Sequence, residues 1–231
     1  MPPPPTSSPS PRRCPNATSA SSSRRGSVGA SCLRCREPRA ASYRLPATRQ
    51  IKTRVTGNRQ LVTALVTMPA VEIHRTTPDD RKRLRRIRLA ALADSPDAFS
   101  GTLAEAAALP DAEWRHRATP STSSACFIAG EGDTWIGMCV VLVRAATELV
   151  SVWVDPSHRR RGVVTALLEA AIEWCRHQGH PELLVWVNAA NAPAIAAYEK
   201  VGFRSTGVSQ PFPNRPEQTE MAMRVSVSSH S

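Results

Sequence analysis

Residues 150–165 read Val-Ser-Val-Trp-Val-Asp-Pro-Ser-His-Arg-Arg-Arg-Gly-Val-Val-Thr and carry the clearest structural signal in the chain. The β-branched, apolar start of this stretch is typical of a buried strand, and a basic loop containing Gly162 separates it from a helix. Backbone N–H groups in the first turn of a helix have no intrahelical partner and carry partial positive charge. Such a turn binds phosphate readily, and a glycine lets the backbone approach the ligand closely. We therefore predict an anion-binding site at residues 159–165, which we call the anion loop.

The sequence that follows this loop predicts a helix, a strand and a second helix. An apolar stripe at helical spacing is formed by Val164, Leu167, Leu168, Ala171, Ile172 and Cys175. Gly179 and Pro181 are expected to end that helix. A buried-type strand is predicted at 183–187, and a short helix at 191–201 is ended by Gly202.

The remainder of residues 68–231 alternates between helical and strand patterns. Helices are predicted from Pro78 to about Ala93 and over 102–117, the second one broken near Pro110. Further strands are predicted at 71–76, 125–129, 134–143, 148–154, 203–208 and 220–227. This order predicts a mixed α/β (α+β) domain built around one sheet.

Residues 1–67 differ from the rest in composition. They are rich in Pro, Ser and Arg, and Glu37 is their only acid, so this segment accounts for the whole formal net charge of +11. It has few large apolar residues, and we predict a disordered basic extension at 1–67 followed by one domain at 68–231. Three interpretations stay open: an organellar transit peptide, a basic tail that binds nucleic acid, or translation that begins at Met68.

The cysteines and the hydropathy pattern indicate where the protein is located and whether it binds a metal. Cys32 and Cys35 form a CxxC pair with no second pair nearby, so no metal site is predicted. Cys126, Cys139 and Cys175 are flanked by apolar residues and are expected to be buried in a reducing compartment. No secretory signal is recognisable and no apolar run is long enough to cross a bilayer, which predicts a cytoplasmic protein without a membrane partner.

Two motifs carry a family resemblance. Arg159-Arg160-Arg161-Gly162-Val163 resembles the acetyl-CoA motif of the GNAT superfamily, Gln/Arg-x-x-Gly-x-Gly/Ala, through its fifth position; Val164 departs at the sixth. Residues 191–203 match the family's Asn-x-x-Ala-x-x-x-Tyr-x-x-x-Gly-Phe completely, from Asn191 through Tyr198 to Phe203. The resemblance covers about residues 71–227 and is strongest from 150 to 203.

The resemblance implies a GNAT-like acyl-CoA N-acyltransferase fold and an N-acetyltransferase that uses acetyl-CoA as co-substrate. The backbone of residues 161–165 would hold the pyrophosphate, and the main chain of Val152 and Val154 would pair with the pantetheine arm. The Val154 N–H would donate to the thioester carbonyl. The implied cofactor-binding set is Val152, Val154, Arg159, Arg160, Arg161, Gly162, Val163, Val164, Thr165 and Asn191. Asn191 has a second interpretation, as a helix N-cap.

Two side chains are predicted to be catalytic. Tyr198 occupies the family's general-acid position and would protonate the departing thiolate. Glu148 lies six residues before Val154, where the histone-acetylating branch of the family has a catalytic glutamate. Regular alternation would place Glu148, Val150, Val152 and Val154 on one face of the strand, where an acid among apolar residues suits a base. A strand-end carboxylate in water, with ordered water as the base, is the alternative.

The acceptor is expected to be a primary amine of a small molecule or peptide that attacks directly in a ternary complex. The first two helices and a loop at 210–216 would line its site. The alternative function is a GNAT-like module that senses acetyl-CoA without turnover. Nucleic acid is not expected as a partner, because residues 68–231 have no net charge and few aromatic residues. A homodimer stays open.

Overall fold

The computed structural model describes the backbone of Tyr43–Arg44 and residues 71–227. The predicted disordered extension and the Cys32/Cys35 pair therefore lie outside the described residues, apart from that two-residue strand. Within residues 71–227 no helix is both long and apolar enough to cross a membrane.

A mixed sheet organises the described part of the chain. Its strand order is β1-β2-β3-β4-β5-β6-β8-β7, and every neighbouring pair is antiparallel except β5 and β6, which run parallel. The strands are β1 Tyr43–Arg44, β2 Val71–Arg75, β3 Ser124–Glu131, β4 Thr134–Val143, β5 Thr147–Val154, β6 Glu182–Asn188, β7 Arg204–Phe212 and β8 Arg215–Ser226. The mixed α/β prediction is confirmed.

Helices cover the two faces of the sheet unequally. They are α1 Arg81–Asp94, α2 Leu103–Ala108, α3 Asp111–Ala118, α4 Val163–His177 and α5 Ala192–Lys200. One apolar core, which we call the α4 core, lies between the sheet and α4 with part of α5. A second core lies on the other face, between α1–α3 and residues of β3, β4 and β5. That second core contains no residue of β6, β7 or β8, so helices of the α1–α3 group cover only part of their face.

Local sequence accounts for most of these elements. The stripe predicted for α4 is confirmed: Leu167, Leu168 and Cys175 are fully buried, and Val164 and Ile172 pack at the edge of the same core. Pro110 breaks the second helical stretch into α2 and α3 as predicted. The three domain cysteines are buried, as expected.

A β-bulge in β5 changes which side chains share a face. Met138 pairs with Trp153 and Val140 with Val150, so two residues of β5 oppose a single residue of β4. Ser151 takes up the extra residue with a φ of 58°. The alternation predicted from Glu148 to Val154 is therefore wrong: Val152 and Val154 pack with the α4 core, whereas Val150 and Glu148 lie on the opposite face.

The acceptor loop predicted at 210–216 is also corrected. Residues up to Phe212 belong to β7, and β8 begins at Arg215, so this segment is the tip of an antiparallel hairpin. Its three prolines, Pro211, Pro213 and Pro216, hid the strand pattern, although proline is tolerated on exposed edge strands such as β7.

Candidate active site

The two parallel strands of the sheet separate towards their carboxyl ends. They pair only where Glu148 faces Leu184 and Leu149 faces Val185. Beyond this point β5 continues to Val154 and β6 to Asn188 without pairing to each other. A gap between two strands leaves backbone hydrogen-bonding groups for another extended chain to pair with.

The backbone of Val154 points into this gap. Asp155 donates its N–H to Ile136 O of β4 at 2.8 Å. Successive residues of a strand point their N–H and C=O in opposite directions, so those of Val154 face away from β4. The Val154 carbonyl accordingly accepts a hydrogen bond from Arg159 Nε at 3.0 Å. Its N–H is thereby directed into the opening between β5 and β6.

The predicted anion loop ends in a helix N-terminus with open space above it. Gly162 caps α4 in the left-handed conformation with a φ of 85°, and Arg160 is also left-handed with a φ of 61°. The first backbone bond of the helix runs from Ala166 N to Gly162 O, so the N–H groups of residues 163–165 have no helical partner. A Cβ added at Gly162 would meet nothing within 4 Å. The strand, loop and helix order is as predicted.

Two of the three arginines in this loop are paired with carboxylates. Arg159 forms an ion pair with Asp94 at the end of α1. Arg161 pairs with Glu131 at the end of β3, with 2.9 Å between Nη2 and Oε1. The same glutamate contacts His158 Nε2 at 3.0 Å. The loop is therefore anchored on two sides, and Arg160 is exposed to solvent.

Asp94 joins three elements through one oxygen. Its Oδ2 accepts hydrogen bonds from Ser95 Oγ at 2.6 Å, from Trp153 Nε1 at 2.9 Å and from Arg159. Burial by itself raises the pKa of Asp94, but these hydrogen bonds outweigh it and hold the pKa below its ordinary value of 3.8. Asp94 is thus ionised at neutral pH and ties α1 to the end of β5 and to the anion loop.

Tyr198 lies in the α4 core. The residue is buried, and its ring centroid is 5.5 Å from that of Phe203. Burial, together with the nearby Cys139 thiol, raises the pKa of Tyr198 well above its ordinary value of 10.0. The phenol therefore keeps its proton throughout the pH range of an enzyme assay.

Glu148 sits at the closed end of the gap. It lies where β5 and β6 are still paired, and its side chain is 24% exposed. Arg144 Nη1 is 3.7 Å from its Oε2. Glu148 is thus separated from Val154 by the length of the unpaired part of β5. Its side chain lies on the face of the sheet opposite to the Val154 side chain.

A cavity of about 400 Å³ lies at the carboxyl end of β6. One wall is the loop after α1, and the other is the turn between β6 and α5. Its lining residues are Asp94, Ser95, Pro96, Asp97, Ala98, Asn188, Ala190, Asn191 and Pro193. Asn191 also caps α5, since its Oδ1 accepts a hydrogen bond from Ala194 N at 3.2 Å. The capping interpretation of Asn191 is therefore observed, and the residue faces the cavity as well.

The tip of the β7–β8 hairpin is attached to the loop after α1. Asn214 Nδ2 donates to Ser100 O at 2.6 Å, and Arg215 Nη2 donates to Pro96 O at 2.8 Å. Arg215 also pairs with Asp97 at 3.2 Å. These contacts hold the hairpin against one wall of the cavity.

The three cysteines within residues 71–227 offer no nucleophile at this site. Burial raises the pKa of Cys126 and of Cys175 to about 12, and it raises the pKa of Cys139 well above its ordinary value. A thiol that stays protonated is a poor nucleophile. Val164, the position that departs from the family motif, packs its side chain against the α4 core.

Sequence reasoning missed several residues at this site. Asp94, Glu131 and Asn188 were not singled out, and neither was Glu220, a buried carboxylate on β8. The Asp-Ser-Pro run after α1 does mark a helix end. Nothing local indicates that Asp94 meets an arginine 65 residues away.

Several known proteins resemble this chain in sequence. The model of the acetyltransferase (GNAT) family matches residues 89–203, about half of the chain. An N-acetyltransferase of Methanocaldococcus jannaschii, itself uncharacterized, is 37% identical over 65 residues, which are 28% of this chain and 29% of the relative. The ribosomal protein bS18-alanine N-acetyltransferase of Escherichia coli is 38% identical over 64 residues, or 28% of this chain and 43% of that enzyme. The chain thus spans less than half the length of these relatives.

Solved structures share the fold over a larger part of the chain. A GNAT-family acetyltransferase from Streptococcus pneumoniae has a TM-score of 0.55 at 21% identity, covering 68% of this chain and 99% of its own. A Salmonella typhimurium protein solved with its cofactor acetyl-CoA has a TM-score of 0.55 at 18% identity, covering 70% and 96%. At such identities the likeness establishes the fold. Taken with the family match and the two motifs, it shows that this chain belongs to the acetyltransferase (GNAT) family.

Proposed function

We propose that the protein is an N-acetyltransferase that transfers the acetyl group of acetyl-CoA to a primary amine of a small molecule or peptide. The observation that carries this proposal is the gap between β5 and β6, with an anion-binding helix terminus at its open end. An extended thioester with a pyrophosphate fits such an arrangement. The amine attacks directly in a ternary complex, since none of the described cysteines is suited to form an acyl intermediate.

The loop and first turn of α4 bind the pyrophosphate. The unpartnered N–H groups of residues 163–165 supply the donors, and Gly162 leaves room for the phosphates. Arg160 supplies mobile counter-charge from the surface. Arg159 and Arg161 act differently, since their carboxylate partners hold the loop in position.

The exposed edge of β5 binds the pantetheine arm. The main chain of Val152 and Val154 pairs with its amides as an added strand would. The Val154 N–H then donates to the thioester oxygen, on which negative charge develops as the amine attacks. Asn191 faces the same cavity and contacts the cofactor while it caps α5.

Tyr198 protonates the leaving group. Two protons leave the substrate ammonium: one before attack, and one as the tetrahedral adduct collapses and the C–S bond breaks. Tyr198 gives its proton to the thiolate and is restored by the second of these protons. Its raised pKa keeps the donor protonated, and the same buried surroundings raise the basicity of the thiolate that must accept the proton.

Glu148 takes the first proton, directly or through water. It shares a face of the sheet with β6 residues that border the gap, and its partial exposure admits water. The separation from Val154 favours transfer through an ordered water molecule over direct contact.

The test is an acetylation assay on the full chain. Acetyl-CoA binding is measured by calorimetry, and thiol release is followed with a panel of amines that includes diamines, amino acids and short peptides. We expect micromolar acetyl-CoA binding and amine-dependent release of CoA. Tight binding with no amine-dependent release would instead identify a sensor module. A lack of acetyl-CoA binding would refute the proposal.

A further inference from the structure

Glu220 is a buried carboxylate that the fold does not neutralise. It lies on β8 and is 7% exposed. Its side chain accepts one hydrogen bond, from Gln210 Nε2 to Oε1 at 2.7 Å. Among the described residues it forms no ion pair with Lys, Arg or His. Burying a carboxylate without a cation is costly, so an uncompensated one calls for an explanation.

The position of Glu220 places it on the face of the sheet that α1–α3 leave uncovered. Met221 and Met223 pack with the α4 core. Side chains alternate along a strand, so Glu220, on β8 between the neighbouring strands β7 and β6, lies on the opposite face. On β6 the residue directly across from it is Asn188. Trp186, two residues earlier on β6, lies on the same face. This face thus combines a carboxylate, an amide and an aromatic ring, none of which belongs to the core under α1–α3.

This surface adjoins the proposed site of acetyl transfer. Asn188 lines the cavity at the carboxyl end of β6. Directly opposed residues of antiparallel strands have Cβ atoms about 4.5–5.5 Å apart, so Glu220 lies next to a residue that lines the cavity. Because β5 and β6 are parallel, Val154 lies at this same end of the sheet. Asn188 thus lines the cavity, Glu220 is its cross-strand neighbour, and the Val154 N–H lies at the same end of the sheet.

A structural role for Glu220 would not require its charge. Its one hydrogen bond is accepted from a neutral amide, and a glutamine could accept the same bond. The free energy spent on burying an acid is therefore unexplained by the hairpin. It is explained if a cationic group enters the cavity and supplies the missing partner.

We propose that Glu220 binds the ammonium group of the acceptor. Gln210 orients its carboxylate, and Trp186 offers a face to the cation or to its alkyl chain. Asn188 Oδ1 already accepts a hydrogen bond from Ala190 N at 2.9 Å and offers its second lone pair. This inference rests on the proposed acetyltransferase function and specifies its acceptor: an amine that arrives protonated and loses its proton only after it is bound.

The first test compares Glu220→Gln with the wild-type chain. The variant keeps the shape and the bond to Gln210 and loses only the charge. We expect at least a tenfold rise in KM for the amine that the wild type acetylates best, with acetyl-CoA affinity unchanged. Thermal unfolding should show an equal or higher Tm, because the neutral amide is easier to bury. A lower Tm with an unchanged KM would assign Glu220 a structural role and overturn the proposal.

Glu182→Gln is the matched control. Glu182 lies on the same face of β6, at its far end, and makes an exposed pair with Arg224 at 3.1 Å. We expect its kinetic constants to equal those of the wild type. An equal rise in KM for both variants would show a general charge effect and would count against a specific ammonium subsite.

A binding experiment separates this proposal from the acetyltransferase function itself. Calorimetry with the panel amines is carried out on the chain saturated with CoA, where no turnover occurs. Binding to the wild type that is lost in Glu220→Gln supports the subsite, even if no acetylation is found. Equal binding to both proteins, or no amine binding to the wild type, overturns it. Failure of acetyl-CoA to bind would refute the function separately.

Discussion

Tyr198 is buried, and we propose that it protonates the leaving thiolate. Tyr198→Phe keeps the ring, its packing against Phe203 and the α5 helix, and removes only the hydroxyl. General acid catalysis contributes about 10²–10⁴ in rate, so we expect kcat to fall on that order. Acetyl-CoA affinity and Tm should stay the same. Single-turnover measurements give the chemical step directly, and a wild-type rate in them would remove the general-acid role.

Glu148 is the proposed base, and its test is a pH profile. Glu148→Gln should lower kcat at neutral pH, and the deficit should shrink as pH rises because free amine becomes abundant. Arg144→Gln is the control, since it removes the 3.7 Å ion pair and leaves the carboxylate in place. A deficit that is constant from pH 7 to pH 9 would assign proton removal to water or to another residue.

The end of α1 is bonded to the anion loop through Asp94, and this connection should depend on pH. The folded pKa of Asp94 is lowered, so its contribution to stability is present above the ordinary value of 3.8 and is lost as pH falls through the folded value. We expect Asp94→Asn to cost about 1–2 kcal/mol at pH 7. The difference from wild type should shrink as pH falls below 3.8 in urea titrations.

Asp97→Asn is the comparison for that variant. Asp97 is 76% exposed in its pair with Arg215, so the same substitution three residues along should cost much less. Equal losses for both variants at pH 7, or an Asp94→Asn loss that does not shrink as pH falls below 3.8, would contradict the assigned role of Asp94.

The loop before α4 can be tested with a glycine pair from the two ends of the same helix. Gly162 and Gly179 both have positive φ and open space at Cβ. An aspartate introduced at either position would be strained to a similar degree by the positive φ. Only Gly162→Asp adds a negative charge beside the pyrophosphate, so we expect acetyl-CoA affinity to fall more than tenfold there and not in Gly179→Asp. Calorimetry showing equal affinities would refute the pyrophosphate assignment.

The whole chain is expected to depend on residues 68–231 for its stability. Both apolar cores consist of residues between Val71 and Val227, and β1 adds only two residue pairs to the edge of β2. A fragment that begins at Met68 has about 160 residues, ample for one core. We expect it to unfold in one cooperative transition within a few degrees of the full chain. Loss of cooperativity in calorimetry would show that the N-terminal segment is required.

Predictions from the sequence were most accurate where the pattern lies within one segment of the chain. The stripe of α4 and the limits of β4 at 134–143 follow from the spacing of apolar residues along one segment. The strand, loop and helix order around the anion loop and the helix that carries Tyr198 could be predicted because these elements lie within about fifty residues. By contrast, the bulge at Ser151 arises from pairing with β4, and nothing in residues 148–154 marks it. Its consequence was that Glu148 was assigned to the wrong face.

Element types, their order and the family of the fold follow from the sequence, because hydrophobic periodicity and turn residues act between near neighbours. The arrangement of the site follows from tertiary contacts. Asp94 reaches Arg159, Asn214 reaches Ser100, and Glu220 becomes buried opposite Asn188, across separations of 65, 114 and 32 residues. Such pairings are set by how strands and helices pack in three dimensions. Burial, and with it the charge environment of each group, is a property of that packing, and no single segment encodes it.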